Sequence, residues 1–229
     1  MSRAASRDGA ERAIDWRAYR IVSSRYPPAG LWDRIADPAD FDRLAEIEGL
    51  TNPRIREEQG VLATIPRERW VSGPGTSPVM AAFTHVDPEG SRFSDGSYGV
   101  FYAAHEVETA IKETVYHRER FLARTREPAQ RLEMRCYTLP VKNVFHDIRG
   151  GHPRLHHRDD YSASQAFGRR LREKGSNGVV FDSVRNAGGE CVAAFWPDCV
   201  GRCSQGKHFA YHWDGTSISH VVELRSVVL

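Results

Sequence analysis

An arginine, a tyrosine and a glutamate follow one another at nearly even intervals within residues 90–120. Arg92 precedes Tyr102 by ten positions, and Glu113 follows Tyr102 by eleven. An arginine can bind phosphate oxygens through its planar fork, and a tyrosine ring can stack on a planar base. A carboxylate shielded from bulk water can stabilise a developing positive charge. Together the three residue types suit a nucleotide-sugar site, although each alone also fits a plain role as surface arginine, core-edge tyrosine or solvated acid.

The same stretch predicts the elements that would position these side chains. An Asp-Gly turn separates two predicted strands, 91–94 and 98–104, and helical spacing begins after them. Glu113 lies about 120° from the centre of the helix's predicted inward face, so it flanks that face. It could point into a pocket beside the helix, or it could be a surface acid paired with His117 one turn later. The predicted inward face consists of Val107, Ile111, Thr114, Val115 and Arg118.

A second group of candidate residues lies in a predicted hairpin. Two apolar runs, 178–185 and 190–196, flank a turn that contains two glycines. Ser183 and Arg185 fall on one face at the end of the first run, where a hydroxyl, a guanidinium and loop amides can bind an anion. No G-x-S-x-G motif surrounds Ser183, which argues against a nucleophilic serine. The plain alternative is a small strand residue followed by an exposed arginine.

Four residues near the C-terminus raise the possibility of a zinc site. Cys199, Cys203, His208 and His212 form the pattern C-x3-C-x4-H-x3-H. Its inner spacer is far shorter than the roughly 12 residues of a ββα zinc finger. A zinc-dependent nucleic-acid binder therefore remains a minor alternative, and we predict that the protein needs no metal.

Composition narrows the class of protein. The chain has 229 residues, of which 40% are hydrophobic and 27% charged, as in globular proteins. Its formal net charge of +2 argues against nucleic acid as a direct partner. The sequence contains no apolar run of membrane-spanning length and no signal peptide at its start. Four unevenly placed cysteines indicate a reducing compartment, so we expect a cytoplasmic protein that does not bind membranes.

The rest of the chain predicts one domain, 14–229, preceded by a disordered polar tail, 1–13. Helical start signals predict an insertion at about 38–60, and the type of segment 78–85 is left open. Strands outnumber helices and short turns join most neighbours. The sequence therefore predicts an α+β fold with mixed, mainly antiparallel sheets and flanking helices. Further strands are predicted at 15–22, 131–141 and 218–228, and a helix at 162–174 that opens with a capping box of Ser162 and Gln165.

The candidate residues, in this order, resemble the RES-domain family, toxins named for an arginine, a glutamate and a serine. The matching positions are Arg92 in GSRFSDG, Tyr102 in GVFYAA, Glu113 in AIKETVYHRERF and Ser183 in GVVFDSVRNAGGE. The early YRI segment also resembles the start of the family, where Arg20 would lie near the site. The resemblance extends from about residue 16 to the C-terminus.

This resemblance implies an ADP-ribosyltransferase-like fold that acts on NAD+ in the cytoplasm, beside an Xre-type antitoxin. Members of the family degrade NAD+, in some cases by phosphorolysis, or transfer ADP-ribose to a protein. Many have a GGRWN-type motif where this chain has GSRFS. That departure, with the predicted helices at 38–60, resembles the subgroup that modifies phosphoribosyl pyrophosphate synthetase.

The resemblance also implies a role for each matched residue. Glu113 would stabilise the positive charge on the ribose, and Tyr102 would pack against the nicotinamide ring. Arg92 and Arg20 would hold the pyrophosphate or its ribose. Ser183, with Arg185 beside it, would orient the ribose or bind the acceptor. The main alternative is a binding or regulatory module that keeps the fold without the reaction.

Overall fold

The computed structural model describes residues 8–25, 30–34, 62 and 64–225. Within them the chain forms seven strands and four α-helices. The strands are β1 (Ala10–Ser23), β2 (Phe101–Ala104), β3 (Gln130–Asp147), β4 (Gly178–Asp182), β5 (Glu190–Ala194), β6 (Ser204–Trp213) and β7 (Ile218–Leu224). The helices are α1 (Leu31–Arg34), α2 (Ser77–Thr84), α3 (Val107–Thr125) and α4 (Ser162–Glu173). The predicted helical insertion at 38–60 lies outside the described residues.

The described strands form one sheet that partly closes on itself. Its order is β1-β2-β5-β4-β3-β6-β7, and β1 also pairs with β3, so five strands make a closed ring of pairings. The contact between β3 and β4 is parallel. Every other pairing among the described strands is antiparallel. This arrangement confirms the predicted α+β class with mainly antiparallel pairing.

The long strand β3 holds the ring together. It pairs with β1 along the whole of β1, beginning with Ala10 opposite Asp147. Both strands are longer than the sequence predicted, because their polar ends pair with each other and lack the alternation that marks a strand. Residues 10–13, which the sequence assigned to a disordered tail, therefore belong to the sheet.

The chain just before β2 forms a tight turn where the sequence predicted a short strand. Ser91 and Ser94 make an isolated bridge across this turn. Tyrosine hydroxyls take the place of a strand partner at Phe93. Its amide donates to Tyr102 Oη at 2.9 Å, and Tyr98 Oη donates to its carbonyl at 2.5 Å. β2 is also shorter than the predicted strand.

The capping box predicted at the start of α4 is wrong. Tyr161 occupies the N-cap position without a side-chain cap, and Ser162 is the first helical residue, its amide donating to Asp160 Oδ1 at 2.9 Å. Gln165 instead donates to the carbonyl of Ser91 at 3.1 Å, which ties the start of α4 to the turn before β2. The predicted end of the helix is confirmed, since Gly175 follows it with a positive φ of 76°.

The predicted hairpin is confirmed with shorter strands, which end at Asp182 and Ala194, so Ser183 and Arg185 lie in the loop after β4. Most of the predicted last strand is confirmed as well. β4 and β5 pair in antiparallel fashion, with Val180 opposite Val192. β7 pairs with β6 across the predicted Asp-Gly turn. The end of the predicted last strand, 226–228, lies outside the described residues.

The hydrophobic core joins the sheet to the helices. α2, the segment whose type the sequence left open, contributes Val79, Met80 and Phe83, and α4 contributes Phe167 and Leu171. Burying each large side chain of this kind stabilises the fold by about 1.5–3 kcal/mol. In the described part of the chain, no helix is both long enough and apolar enough to cross a bilayer.

Candidate active site

The carboxylate of Glu113 and the hydroxyl of Ser183 are in direct contact. Ser183 Oγ donates to Glu113 Oε1 at 2.5 Å, which joins α3 to the end of β4. A short bond from a hydroxyl to an ionised carboxylate is stronger than a neutral one and fixes both groups. Ser183 is buried and Glu113 is partly buried, so protein shields much of the pair from water.

The loop after β4 completes the hydrogen bonding of the Ser183 hydroxyl. The backbone amides of Arg185 and Asn186 donate to Ser183 Oγ at 3.1 and 3.0 Å. A hydroxyl has one proton to donate and two lone pairs that accept, so these three bonds use its whole capacity. In this arrangement Ser183 anchors Glu113, and its proton is not free for another acceptor.

The buried face of α3 lies closer to Glu113 than the sequence predicted. Thr109 and Ala110 are buried, whereas Val107 and Ile111 of the predicted inward face are only partly buried. The prediction followed apolar side chains, but the hairpin loop after β4 covers the other flank of the helix as well. Glu113 therefore faces protein and is not a solvated acid.

The alternative pairing of Glu113 with His117 does not occur among the described residues. Desolvation by the surrounding protein, with the positive charges of Arg185, Arg120 and Arg92, lowers the pKa of His117 to about 4, although the residue is exposed at the surface of the fold. His117 is therefore neutral near pH 7 and cannot form an ion pair with Glu113 there.

The hydroxyl of Tyr102 holds the turn that carries Arg92. It accepts the Phe93 amide and lies 2.9 Å from Ser91 Oγ. Burial raises the pKa of Tyr102 to about 12, so the hydroxyl keeps its proton. Tyr102 thereby positions Arg92 through the backbone of this turn, while the residue as a whole stays partly exposed.

The buried guanidinium of Arg92 is only partly engaged by protein. Its Nη1 donates to the carbonyls of Leu155 and His157 at 3.3 and 2.9 Å, and its Cζ lies 4.5 Å from the centroid of the Tyr161 ring. These hydrogen bonds to described residues use Nη1 alone. The Nε and Nη2 donors therefore remain for a ligand.

Arg20 is a second arginine with spare hydrogen-bond donors. Its Nη1 donates to the carbonyl of Tyr102 at 2.9 Å, and its Cζ lies 4.6 Å from the Phe101 ring centroid. Its Nε is enclosed without a partner among the described residues, and burial lowers the pKa of the guanidinium. A desolvated cation that lacks a carboxylate partner is unfavourable, so an anionic ligand would relieve this position.

Arg185 lies in the loop between β4 and β5, where the surrounding protein encloses its side chain. Its side chain is 5% exposed, and its Cζ lies 3.3 Å from the centroid of the Tyr116 ring. Its Nη2 donates to the carbonyl of Arg158, and its Nε is buried without a partner in the described part of the chain. The loop between β3 and α4, 148–161, thus contacts Arg185 and Arg92 alike.

Five of the predicted site residues therefore form two groups, each held together by its own hydrogen bonds. Glu113 bonds to Ser183, while Tyr102 links Arg92 to Arg20 through its hydroxyl and its carbonyl. The buried thiol of Cys191 lies in the field of both groups. Desolvation raises its pKa, the charge of Glu113 raises it further, and the charge of Arg92 opposes the change.

Comparison with known proteins identifies the family to which this chain belongs. The RES domain matches residues 62–214, which is more than half of the chain. The chain belongs to the RES domain family. Uncharacterized protein y4oC of Sinorhizobium fredii (strain NBRC 101917 / NGR234) is 33% identical over 216 residues, which cover 91% of this chain and 88% of that protein. The crystal structure of the M. tuberculosis MbcT-MbcA toxin-antitoxin complex contains a similar chain, with a TM-score of 0.47, 14% identity and coverage of 86% of this chain and 85% of that one.

Sequence reasoning missed several polar residues of this RES domain. Asn186 lies in the predicted turn between the two apolar runs, and its side chain donates to the buried hydroxyl of Thr109 on α3. Tyr116 and Tyr161, which stack on arginines, carried no signal in the linear pattern. Their partners come from distant segments, so only the folded chain brings them together.

The structure does not assemble the four residues of the zinc pattern. Cys199 Sγ lies 3.4 Å from Asn177 Oδ1, and the His212 ring stacks on that of His220 with centroids 4.1 Å apart. Across 8–25, 30–34, 62 and 64–225, no group of three or more histidine, cysteine or acidic residues could hold a metal ion. The zinc alternative therefore gains no support from these residues.

Proposed function

We propose that this RES domain protein is an enzyme that cleaves the nicotinamide–ribose bond of NAD+. The observation that carries the proposal is the bond between Ser183 and Glu113, which holds a partly buried carboxylate in a fixed position on α3. A fixed carboxylate shielded from water suits a reaction whose transition state gathers positive charge.

The carboxylate of Glu113 is the main catalytic group in the proposed cleavage of the nicotinamide–ribose bond. As the bond from ribose C1′ to the nicotinamide nitrogen breaks, its electron pair goes to nicotinamide, and the ribose acquires oxocarbenium character. Glu113 stabilises that positive charge. Nicotinamide leaves as a neutral molecule, so no general acid is required at that end. The acceptor then attacks C1′ and, where its attacking atom carries a hydrogen, releases that proton to solvent.

The arginines fit the negatively charged half of the substrate. Arg92 retains the Nε and Nη2 donors, and Arg20 has an enclosed, unpaired Nε among the described residues. In the proposal these two bind the pyrophosphate or the adjacent ribose, and Arg185 supports the same region. The partly exposed Tyr102 ring packs against nicotinamide.

The proposal also covers the acceptor of ADP-ribose and the protein partners. The GSRFS motif around Arg92 resembles that of the subgroup that modifies phosphoribosyl pyrophosphate synthetase, and the proposed acceptor is a protein side chain, phosphate or water. Family membership supports a toxin that works in the cytoplasm and is restrained by an antitoxin of Xre type.

The test is to identify the products formed from isotope-labelled NAD+. Purified protein is incubated with NAD+ alone, with phosphate, and with cell extract, and the products are analysed by mass spectrometry. Release of nicotinamide supports the reaction. ADP-ribosylated protein, ADP-ribose-1-phosphate or free ADP-ribose then identifies the acceptor. No nicotinamide under any of these conditions would overturn the proposal and favour a binding module of the same fold.

A further inference from the structure

The loop after β4 is attached to α3 at a second point, independent of the Ser183–Glu113 bond. Asn186 Nδ2 donates to Thr109 Oγ1 at 2.8 Å, and Lys112 Nζ donates to Asn186 Oδ1 at 2.8 Å. The amide side chain of Asn186 therefore bridges two positions of the helix. The loop is fixed to α3 through this one residue as well as through Ser183.

Thr109 lies one helical turn before Glu113, so both residues occupy the same side of α3. Thr109 is fully buried. The loop also approaches very closely here, since a Cβ on Gly189 would collide with Thr109 Oγ1. The loop therefore follows the helix from Thr109 to Glu113, with one hydrogen bond at each end.

We propose that Asn186 is a positioning residue for the reaction at Glu113. By binding Thr109 it fixes the loop, and the loop in turn presents the Ser183 hydroxyl to the Glu113 carboxylate. The inference rests on the proposed function, because the role of Asn186 is to position the carboxylate that acts on the ribose.

Asn186 acts on Ser183 by two routes. Its backbone amide donates directly to Ser183 Oγ at 3.0 Å, and its side chain prevents the loop from moving away from the helix. Without the side chain, the buried Thr109 hydroxyl loses this partner, and the loop keeps its hydrogen bond at Ser183 and the stacking of Arg185 on Tyr116 of α3. A small displacement of a catalytic group slows chemistry far more than it weakens ground-state binding.

The first test separates kcat from KM for nicotinamide release. Asn186→Ala is expected to lower kcat about tenfold while KM changes less than about twofold. Thr109→Val, which removes the other partner at nearly constant volume, is expected to have the same effect. Asn186→Asp keeps the acceptor for Lys112 and replaces the amide donor with a carboxylate oxygen that can accept from the Thr109 hydroxyl, so this variant should keep most of the wild-type rate.

Thr125→Val is the matched control, since the hydroxyl of Thr125 bonds only to carbonyls of its own helix. Its kcat should equal that of the wild type. Urea unfolding of every variant checks that the assays compare folded proteins. An unchanged kcat in Asn186→Ala, or an equal loss in the Thr125 control, would overturn the proposal.

A double-mutant comparison tests whether Asn186 acts through Ser183. On a Ser183→Ala background, Asn186→Ala should cause less than a twofold further loss, because the hydroxyl that it positions is absent. A full tenfold loss on that background contradicts the proposed route.

A crystal structure of Asn186→Ala provides a readout that does not depend on activity. The Ser183 Oγ–Glu113 Oε1 distance should exceed hydrogen-bonding range, and it should return to the wild-type value in Asn186→Asp. An unchanged distance in Asn186→Ala refutes the positioning role. If the wild type releases no nicotinamide, the proposed function fails, and this distance still decides the role of Asn186 in placing Glu113.

Discussion

The two halves of the candidate site differ in how completely the protein satisfies their polar groups. On the carboxylate side, the Ser183 hydroxyl makes all three of its possible hydrogen bonds, one of them to Glu113. On the arginine side, Arg92 and Arg20 have donors that no described residue accepts. In the proposed function, the first half acts on the ribose through Glu113, and the second half binds the anionic part of NAD+.

This contrast separates the expected effects of mutation. Changes on the carboxylate side should lower kcat, because the interaction with Glu113 strengthens in the transition state. Changes on the arginine side should raise KM, since phosphate contacts are the same in the ground and transition states.

Apart from the loss of Glu113 itself, the largest of these effects is expected from Ser183→Ala, which removes the anchor of the carboxylate. Glu113 loses its anchor, and the amides of Arg185 and Asn186 lose their acceptor. We expect kcat for nicotinamide release to fall about 30-fold with little change in KM, as for an ångström-scale misplacement of a catalytic group. The control is Ser97→Ala, an exposed serine bonded to Asp95. A loss confined to KM would contradict the assignment.

Arg20→Met probes the arginine side. Removing a partly buried cation that has no carboxylate partner among the described residues should not lower stability, whereas the proposed NAD+ site should lose a phosphate contact. We expect KM to rise about tenfold, equivalent to about 1.4 kcal/mol of binding, with kcat nearly unchanged. Steady-state kinetics and thermal melting measure the two effects. A lower melting temperature with normal KM would make Arg20 a structural residue.

Tyr102→Phe tests the link between the Arg92 turn and β2. The ring remains, but the Phe93 amide loses its acceptor and Ser91 loses a partner. We expect a loss of about 1–3 kcal/mol in the free energy of unfolding and a modest increase in KM as Arg92 shifts. Urea denaturation and kinetics provide both values. Unchanged stability would refute the anchoring role of the hydroxyl.

His117 should produce the smallest effect, visible only in acid. Desolvation and neighbouring arginines lower its pKa in the folded state to about 4, below the ordinary value of 6.5. The unfolded chain therefore binds a proton at higher pH than the folded protein does, and His117 reduces stability as pH falls from about 6.5 towards 4. In His117→Gln this part of the acid loss should disappear. Melting curves of both proteins from pH 4 to 7 measure it, and identical profiles would contradict the lowered pKa.

Sequence patterns were sufficient for the main elements near the site. Helical spacing predicted α3, and apolar runs around a glycine turn predicted the hairpin of β4 and β5. These elements follow from local periodicity, which a single sequence records directly. The α+β class follows from the same signals.

The missed features depend on contacts between distant segments. The sequence predicts a strand at Arg92, but the segment is a turn. The tyrosine hydroxyls that bond to the Phe93 backbone in place of a strand partner come into position only in the folded protein. The polar ends of β1 and β3 pair with each other in a way that neither segment's composition indicates. The buried flank of α3 was missed because the covering loop comes from a hairpin much later in the chain.

The most direct test of the account compares nicotinamide release from NAD+ by the wild type, Glu113→Gln and Glu108→Gln. Glu108 is an exposed acid on the same helix, paired with Lys112, so it controls for loss of a carboxylate from α3. We expect equal rates for the wild type and Glu108→Gln, and a rate at least about 100-fold lower for Glu113→Gln. All three proteins should melt at similar temperatures. Wild-type rates in a folded Glu113→Gln protein would contradict the claim that this carboxylate drives the reaction.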